Sequence, residues 1–137
     1  MSEENEKISL LDDLVPENLR IIDGIVSVNM AEDVTFFETD DYLLVEIFPR
    51  GHPVSAYKVA RAIRDIIGNS NKLVVIRGYG FKGTGVSATI AHELKQQRKN
   101  INYKIAFDTF TAINTETDEK YVSVQLVIIP ESLIKSA

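Results

Sequence analysis

The stretch that most constrains the fold is residues 72–97, where an apolar strand runs through a glycine-rich basic turn into an amphipathic helix. Residues 73–76 are all apolar, which is typical of a strand buried on both faces. The turn contains Arg77 and Lys82. It also contains four glycines: Gly78, Gly80, Gly83 and Gly85. Because glycine lets the backbone approach a ligand closely, and the first amides of a helix have no partner within it, the stretch predicts a phosphate site.

The length and composition indicate one domain that needs no covalent cross-link. A chain of 137 residues buries roughly two-thirds of its unfolded surface on folding. The sequence contains no cysteine, which excludes disulfides, cysteine-ligated zinc and thiol catalysis. No apolar run approaches the roughly 18 residues of a membrane span, and the charged start MSEENEK is unlike a signal peptide. We therefore expect a soluble, cytoplasmic protein with no membrane partner.

Charge is distributed unevenly along the chain. Residues 1–46 hold 13 acidic residues against 2 basic ones, a net of −11, whereas residues 47–137 hold 13 basic residues against 7 acidic ones, a net of +6. An acidic arm before a basic body favours contact of the body with a polyanion. Two differently solvated surfaces would give the same distribution, so both interpretations stay open.

Periodicity from residue 42 onward predicts a regular order of elements. We expect a strand at 42–48, a helix at 54–67, a strand from 72, a helix to about 99, and two strands at 103–113 and 121–129 joined by a polar turn. On the first helix, Tyr57, Ala60, Ile63 and Ile67 form one apolar face, and Pro53 suits the helix start. The pattern predicts the order strand, helix, strand, helix, strand, strand after an N-terminal extension.

The N-terminal part has weaker patterns. Residues 1–41 are predicted to be an acidic extension, disordered at 1–7, with a short helical turn at 9–14. Residues 16–30 predict a short helix or turn leading to an edge strand. Residues 33–41 form either a further strand or, as we expect, a hydrophobic flap over an open sheet edge. Residues 131–137 are predicted to be a tail.

The glycines also match a dinucleotide motif. Gly78 to Gly83 has the spacing G-x-G-x-x-G, and Asp108 lies 25 residues further on, near the distance of a ribose-binding acid. A Rossmann half-domain needs another parallel strand, however, and the chain after Asp108 forms a hairpin. The Walker pattern is absent as well. We therefore predict no cofactor, and a nucleotide-dependent enzyme is the third of three hypotheses.

Other catalytic or metal-binding patterns are weak. His52 and His92 are the only histidines, and their spacing is not that of metal ligands. No nucleophile is placed beside a base. We predict that the protein is not an enzyme and binds no metal.

Basic residues recur in both strand–helix loops and on both helices: Arg50, Lys58, Arg61, Arg77, Lys82 and Lys95. Lysine and arginine bind phosphate regardless of base sequence. Tyr79 and Phe81 lie between these charges, where they either stack on bases or pack in the core.

Over about residues 42–129 the chain resembles the Alba family of small archaeal chromatin proteins, which includes RNA-binding relatives. The family's Gly-Lys-Lys-Pro loop before the first helix corresponds here to Arg50-Gly51-His52-Pro53, followed by Val54 and Tyr57. Its Arg-Gly-Arg turn after the second strand corresponds to Arg77-Gly78-Tyr79. The resemblance implies an α+β two-layer sandwich, a β-α-β-α-β-β domain at residues 42–130 with a mixed sheet and two helices on one face, preceded by the N-terminal extension.

The resemblance also implies a function. It implies a non-enzymatic dimer, formed with itself or with an Alba-like partner, that associates with the nucleoid if the ligand is DNA. The dimer would bind DNA or RNA by sequence-independent phosphate contacts, through the two strand–helix loops and the hairpin arm at residues 114–120. The predicted contact residues are Arg50, Gly51, His52, Arg77, Gly78, Tyr79, Gly80, Lys82 and Gly83.

Departures from the family pattern support an alternative. Gly51 and His52 replace paired lysines, and Tyr79 replaces an arginine. The hairpin turn, commonly basic in the family, here carries three acids: Glu116, Asp118 and Glu119. Since acids repel phosphate, the alternative is a protein-interaction subunit on this fold that has lost nucleic-acid binding and uses its acidic N-terminal segment or a hydrophobic face.

Overall fold

The computed structural model describes residues 14–97 and 102–134. In chain order the elements are a 3-10 turn (Glu17–Leu19), β1 (Ile25–Val28), β2 (Val34–Glu38), β3 (Tyr42–Ile47), α1 (Ala56–Ile67), β4 (Leu73–Tyr79), α2 (Gly80–Gln97), β5 (Tyr103–Asn114), β6 (Lys120–Pro130) and α3 (Glu131–Ile134). The protein is α+β, and the order from β3 to β6 is the predicted strand, helix, strand, helix, strand, strand.

The six strands form one mixed sheet in the order β1-β5-β6-β4-β3-β2. The pairs β1–β5 and β3–β4 are parallel, and the remaining pairs are antiparallel. β4 lies between β3 and β6 and is buried along its whole length, as its apolar run predicts. Helices α1 and α2 cover the same face of this sheet, which we call the helix face.

The N-terminal segment contributes two strands. Residues 16–30 form the 3-10 turn and the edge strand β1, as predicted. Residues 34–38 are strand β2, paired with β3, and are not a flap, because their backbone extends the sheet itself. The predictions for residues 1–7 and 9–13 lie outside the described residues, as does the end of the predicted tail beyond α3.

The sheet is curled because a short connection joins its two edges. β1 and β2 occupy opposite edges, yet only residues 29–33 connect them. A flat six-stranded sheet is about 24 Å wide, and this connection spans at most about 21 Å. Hydrogen bonds hold it in place: the Phe48 amide donates to the Asp33 carbonyl (2.8 Å), and the Thr115 amide donates to the Val28 carbonyl (3.0 Å). On the face opposite the helices, Val28 of the edge strand β1 packs in one cluster with Phe48, which follows β3, and with Tyr79 and Phe110. This face is therefore concave.

Helix α1 shows how local signals place its ends. The Ser55 side chain caps the helix by accepting a hydrogen bond from the Lys58 amide (3.3 Å), so the helix begins after the predicted Pro53. It ends at Gly68 with φ 57°, as predicted. Val59 takes the place expected for Tyr57 in the core, and Tyr57 is 54% exposed. The predicted apolar face of α1 is therefore correct at Ala60, Ile63 and Ile67 and wrong in the first turn of the helix.

The junction between β4 and α2 has no loop. The strand extends to Tyr79 and the helix begins at the next residue, so the predicted glycine turn is divided between the two elements. Gly80 makes the change of direction with φ +75°, a conformation that residues with a Cβ rarely adopt.

Two other glycines allow α2 to lie directly on the sheet. A Cβ on Gly78 would overlap the Ser87 hydroxyl and the Gly83 carbonyl, and a Cβ on Gly83 would lie 2.8 Å from the Ile47 carbonyl oxygen. The helix backbone thus touches the strand backbone at this point. The glycines at 78 and 83 are explained by helix–sheet packing.

We predict that Gly78→Ala lowers the free energy of unfolding by about 3 kcal/mol, because the added methyl group forces the helix from the sheet. Gly85→Ala is the matched control, since its Cβ would meet nothing within 4 Å. It should raise the free energy of unfolding by up to about 1 kcal/mol through helix propensity. Urea unfolding of both variants measures the difference, and equal stabilities would contradict the packing role.

Candidate nucleic-acid interface

The predicted contact segments lie at one end of the sheet. β3 and β4 are parallel, so the loop after β3 and the start of α2 share this end. β6 runs antiparallel to β4, with Ser123 paired to Tyr79, and the hairpin turn at residues 114–120 therefore reaches the same end. The order of the strands brings together three segments that are far apart in sequence.

A shallow groove of about 720 Å³ lies between the loop after β3 and the first turns of α2. Three of the predicted contact residues line it: Gly51, His52 and Lys82. Pro53, Phe81 and Val86 add an apolar part. This groove is the candidate interface.

One carboxylate, that of Asp33, lies beside both Arg50 and His52. The Arg50 guanidinium lies 3.5 Å from Asp33, donates to the Met30 carbonyl (2.8 Å) and stacks over the Phe48 ring at 5.5 Å. His52 Nδ1 lies 3.8 Å from Asp33. Asp33 therefore lowers the positive potential of this loop, which leaves Lys82 as the more available cation.

The structure places Arg77 on the concave face, away from the groove. Its Nε donates to the Gln125 side-chain oxygen (2.6 Å) and its Nη2 to the Leu19 carbonyl (3.1 Å), while Gln125 also donates to Leu19 (2.9 Å). The guanidinium lies 5.7 Å from the centre of the Phe110 ring, and the residue is 8% exposed. Arg77 fixes the 3-10 turn to the centre of the sheet, and a phosphate would reach it only if that turn moved.

Tyr79 is buried on the same side as Arg77. Its hydroxyl donates to the Glu46 carboxylate, and its ring packs edge-on against Phe48 and Phe110. Burial, then the charge and hydrogen bond of Glu46, raise the pKa of Tyr79 well above its ordinary value, although Arg77 opposes the shift. Of the two uses expected for Tyr79, packing is the observed one.

The backbone of the glycine motif is also engaged in contacts within the protein. Gly78 and Tyr79 lie in the central strand between β3 and β6, and the Gly80 amide donates to the Ser123 hydroxyl (3.4 Å). Gly83 is buried against β3. Three of the predicted contact residues, Gly78, Gly80 and Gly83, therefore do not line this groove. They fix the position of α2 against the sheet.

A second groove of about 550 Å³ lies on the other side of Phe81, against the start of β6. Lys120, Tyr121 and Val122 line it together with Phe81 and Gly85. Phe81 is 96% exposed. The core alternative for Phe81 is therefore excluded.

Sequence reasoning missed Asp33 as a part of this end of the molecule, and it included Lys120 only as the last residue of the hairpin arm at residues 114–120. The register of β6 against β4 brings Lys120 to the second groove. Asp33 approaches Arg50 because the connection between β1 and β2 crosses the curled sheet. Neither proximity has a signal in local sequence.

Within residues 14–97 and 102–134 no group of three or more histidines, aspartates or glutamates is placed to hold a metal ion. No helix of this part of the chain is long and apolar enough to cross a membrane. Comparisons with known protein families, curated proteins and solved structures give no match.

We predict that Arg77→Ala lowers the free energy of unfolding by about 3 kcal/mol, because the Leu19 carbonyl and Gln125 lose a buried charged partner. The exposed Arg61 is the matched control, and Arg61→Ala should change stability by less than about 0.5 kcal/mol. Thermal unfolding compares them. A stable Arg77→Ala protein that no longer binds nucleic acid would identify Arg77 as a direct contact instead.

Proposed function

We propose that the protein is a non-enzymatic, Alba-like nucleic-acid-binding protein that contacts the phosphates of DNA or RNA without regard to sequence. The observation that carries the proposal is the charge of the first turns of α1 and α2. Both turns contain a lysine, Lys58 and Lys82, and neither contains an acidic residue. Both helices begin at the end of the sheet that holds the groove.

These two lysines are unfavourable for the stability of the helices themselves. A helix N-terminus carries a partial positive charge, and a lysine there costs about 0.3–1 kcal/mol. Acidic residues are the usual choice at this position. Two adjacent helix starts with lysine and without acid add their potentials, and a polyanion is the ligand that this potential attracts.

The proposed phosphate contacts are Lys82, Lys58, Arg50 and His52, with Arg77 as a structural support. The acids of the hairpin turn, Glu116, Asp118 and Glu119, are exposed and oppose a phosphate backbone nearby. We therefore place the path of the nucleic acid over the groove between the loop after β3 and α2, which is lined by Lys82 and His52.

An uncovered strip on the helix face supports a dimer. Ile105 and Phe107 of β5 lie on the helix face of the sheet, because they pair with Ile128 and Leu126 of β6, which pack under the helices. α2 packs over β4 and β6, and Phe107 remains 67% exposed. This uncharged strip suits a second copy of the chain or a related partner, because an isologous interface pairs the same surface on both subunits.

The same strip and the acidic hairpin favour the second candidate function, a protein-interaction subunit without nucleic-acid binding. The two candidates differ in what the protein retains from a native extract. A protein partner that survives nuclease treatment, with no nucleic acid bound, would favour this second function.

We predict that affinity for both duplex DNA and single-stranded RNA falls with salt, and that Lys82→Ala reduces the slope of log affinity against log salt by about one. Lys104→Ala is the matched control, because Lys104 is exposed at the opposite end of the sheet, paired with Ile129. Fluorescence anisotropy across a salt series measures the slopes. Affinity that depends neither on salt nor on Lys82 would overturn the proposal.

For the dimer, we predict that Phe107→Glu shifts the mass in solution from dimer to monomer without unfolding the chain, because a charge is then buried in an apolar interface. Phe37→Glu on the edge strand β2, where Phe37 is 57% exposed, should leave the mass unchanged. Light scattering after size exclusion gives the masses. A wild-type monomer would contradict the dimer and leave the nucleic-acid proposal standing.

A further inference from the structure

Phe81 is the most exposed aromatic residue at the candidate interface, and packing does not account for its position. It lies in the first turn of α2 and is 96% exposed. Its neighbours Gly80 and Gly83 are required by the turn and by the contact with the sheet. An aromatic ring held in solvent gains nothing for the fold, so the ring is available to a ligand.

Gly85 keeps one side of that ring open. It follows Phe81 by one helical turn, where a side chain would pack against the ring. A Cβ at Gly85 would meet nothing within 4 Å, so packing does not require glycine here, and glycine within a helix costs up to about 1 kcal/mol relative to alanine. The missing side chain leaves free space beside Phe81.

Phe81 and Gly85 form the boundary that both grooves share. The first groove carries Lys82 and the second carries Lys120, and both lysines are exposed. A flat apolar group on the ring would therefore have Lys82 on one side. On the other side Lys120 is next to Glu119, whose carboxylate interacts with Tyr121, so that side is less favourable for phosphate. Lys82 therefore suits a phosphate next to a nucleobase that is stacked on the ring.

We propose that Phe81 is a stacking platform for an unpaired base, so that the protein binds single-stranded nucleic acid in preference to duplex. The inference rests on the proposed function and specifies its ligand. A base inside a duplex is stacked on its neighbours and paired at its edge, and its face is not available to Phe81. An unpaired base in DNA or RNA offers that face, and stacking is tolerant of base identity.

The test compares short labelled oligo(dT) and oligo(U) with a duplex of the same length at one salt concentration. We expect the wild type to bind both single strands more tightly than the duplex. Phe81→Ala should weaken single-strand binding about tenfold and leave duplex binding unchanged. Gly85→Leu, which covers the ring without removing it, should weaken single-strand binding in the same way. Phe37→Ala, at an exposed phenylalanine of β2, is the matched control and should have no effect.

Phe81→Trp supplies a direct readout of stacking. The chain contains no tryptophan, so the new indole is the only one in the protein. It should retain single-strand affinity, and its fluorescence should be quenched when oligo(dT) or oligo(U) binds but not when duplex binds.

The outcomes separate this inference from the proposed function. If the wild type binds no nucleic acid, the proposed function fails and this inference with it. Binding that is insensitive to Phe81→Ala, or an indole that is unchanged by bound single strand, overturns the stacking role alone. A change of mass in solution caused by Phe81→Ala, with unchanged single-strand affinity, would assign the ring to a contact between chains and would also overturn it.

Discussion

The backbone contact between Gly78 of β4 and Gly83 of α2 determines the arrangement of the candidate interface. Because neither residue has a Cβ, the first turn of α2 lies directly against the central strand, and no loop separates the two elements. The side chains of that turn are consequently fixed relative to the sheet. Lys82 faces one groove, and Phe81 stands at the border of both. A flexible loop would present the same residues without a defined position.

The alternation of side chains along β4 gives the same segment a second role. Gly78 faces the helices, and the residues on either side of it, Arg77 and Tyr79, face the concave side. There the arginine binds the Leu19 carbonyl, and the tyrosine donates to Glu46. The N-terminal turn is thereby attached to the centre of the sheet. Residues 77–79 thus attach α2 to the helix face of the sheet and the N-terminal segment to the concave face. The polar side chains of Arg77 and Tyr79 therefore make hydrogen bonds within the protein.

The sequence predicted the order of elements from β3 to β6 because each has a strong period and clear ends. Residues 73–76 are apolar without interruption, Gly68 ends α1, and β5 alternates for most of its length. The prediction of a flap at residues 33–41 was wrong because β2 is a strand only through its pairing with β3. Its five residues do not alternate between apolar and polar side chains, so the local sequence does not indicate a strand. For the site, the residue types indicated a basic surface that includes Arg77. The sequence pattern predicted Arg77 in the turn after the strand, whereas β4 continues to Tyr79. Arg77 is therefore a strand residue, and its side chain lies on the concave face.

The glycines of the motif show why a fingerprint alone does not identify a ligand. Gly78, Gly80 and Gly83 are each required by a close contact or by a positive φ, so their spacing reflects the geometry of a helix that follows a strand directly. The same geometry underlies dinucleotide sites, where the backbone is close to the pyrophosphate. Gly85 differs, since nothing near it excludes a side chain and helix propensity favours one. Of the four glycines, Gly85 is therefore the one that the fold does not need, and it lies one helical turn from the exposed ring of Phe81.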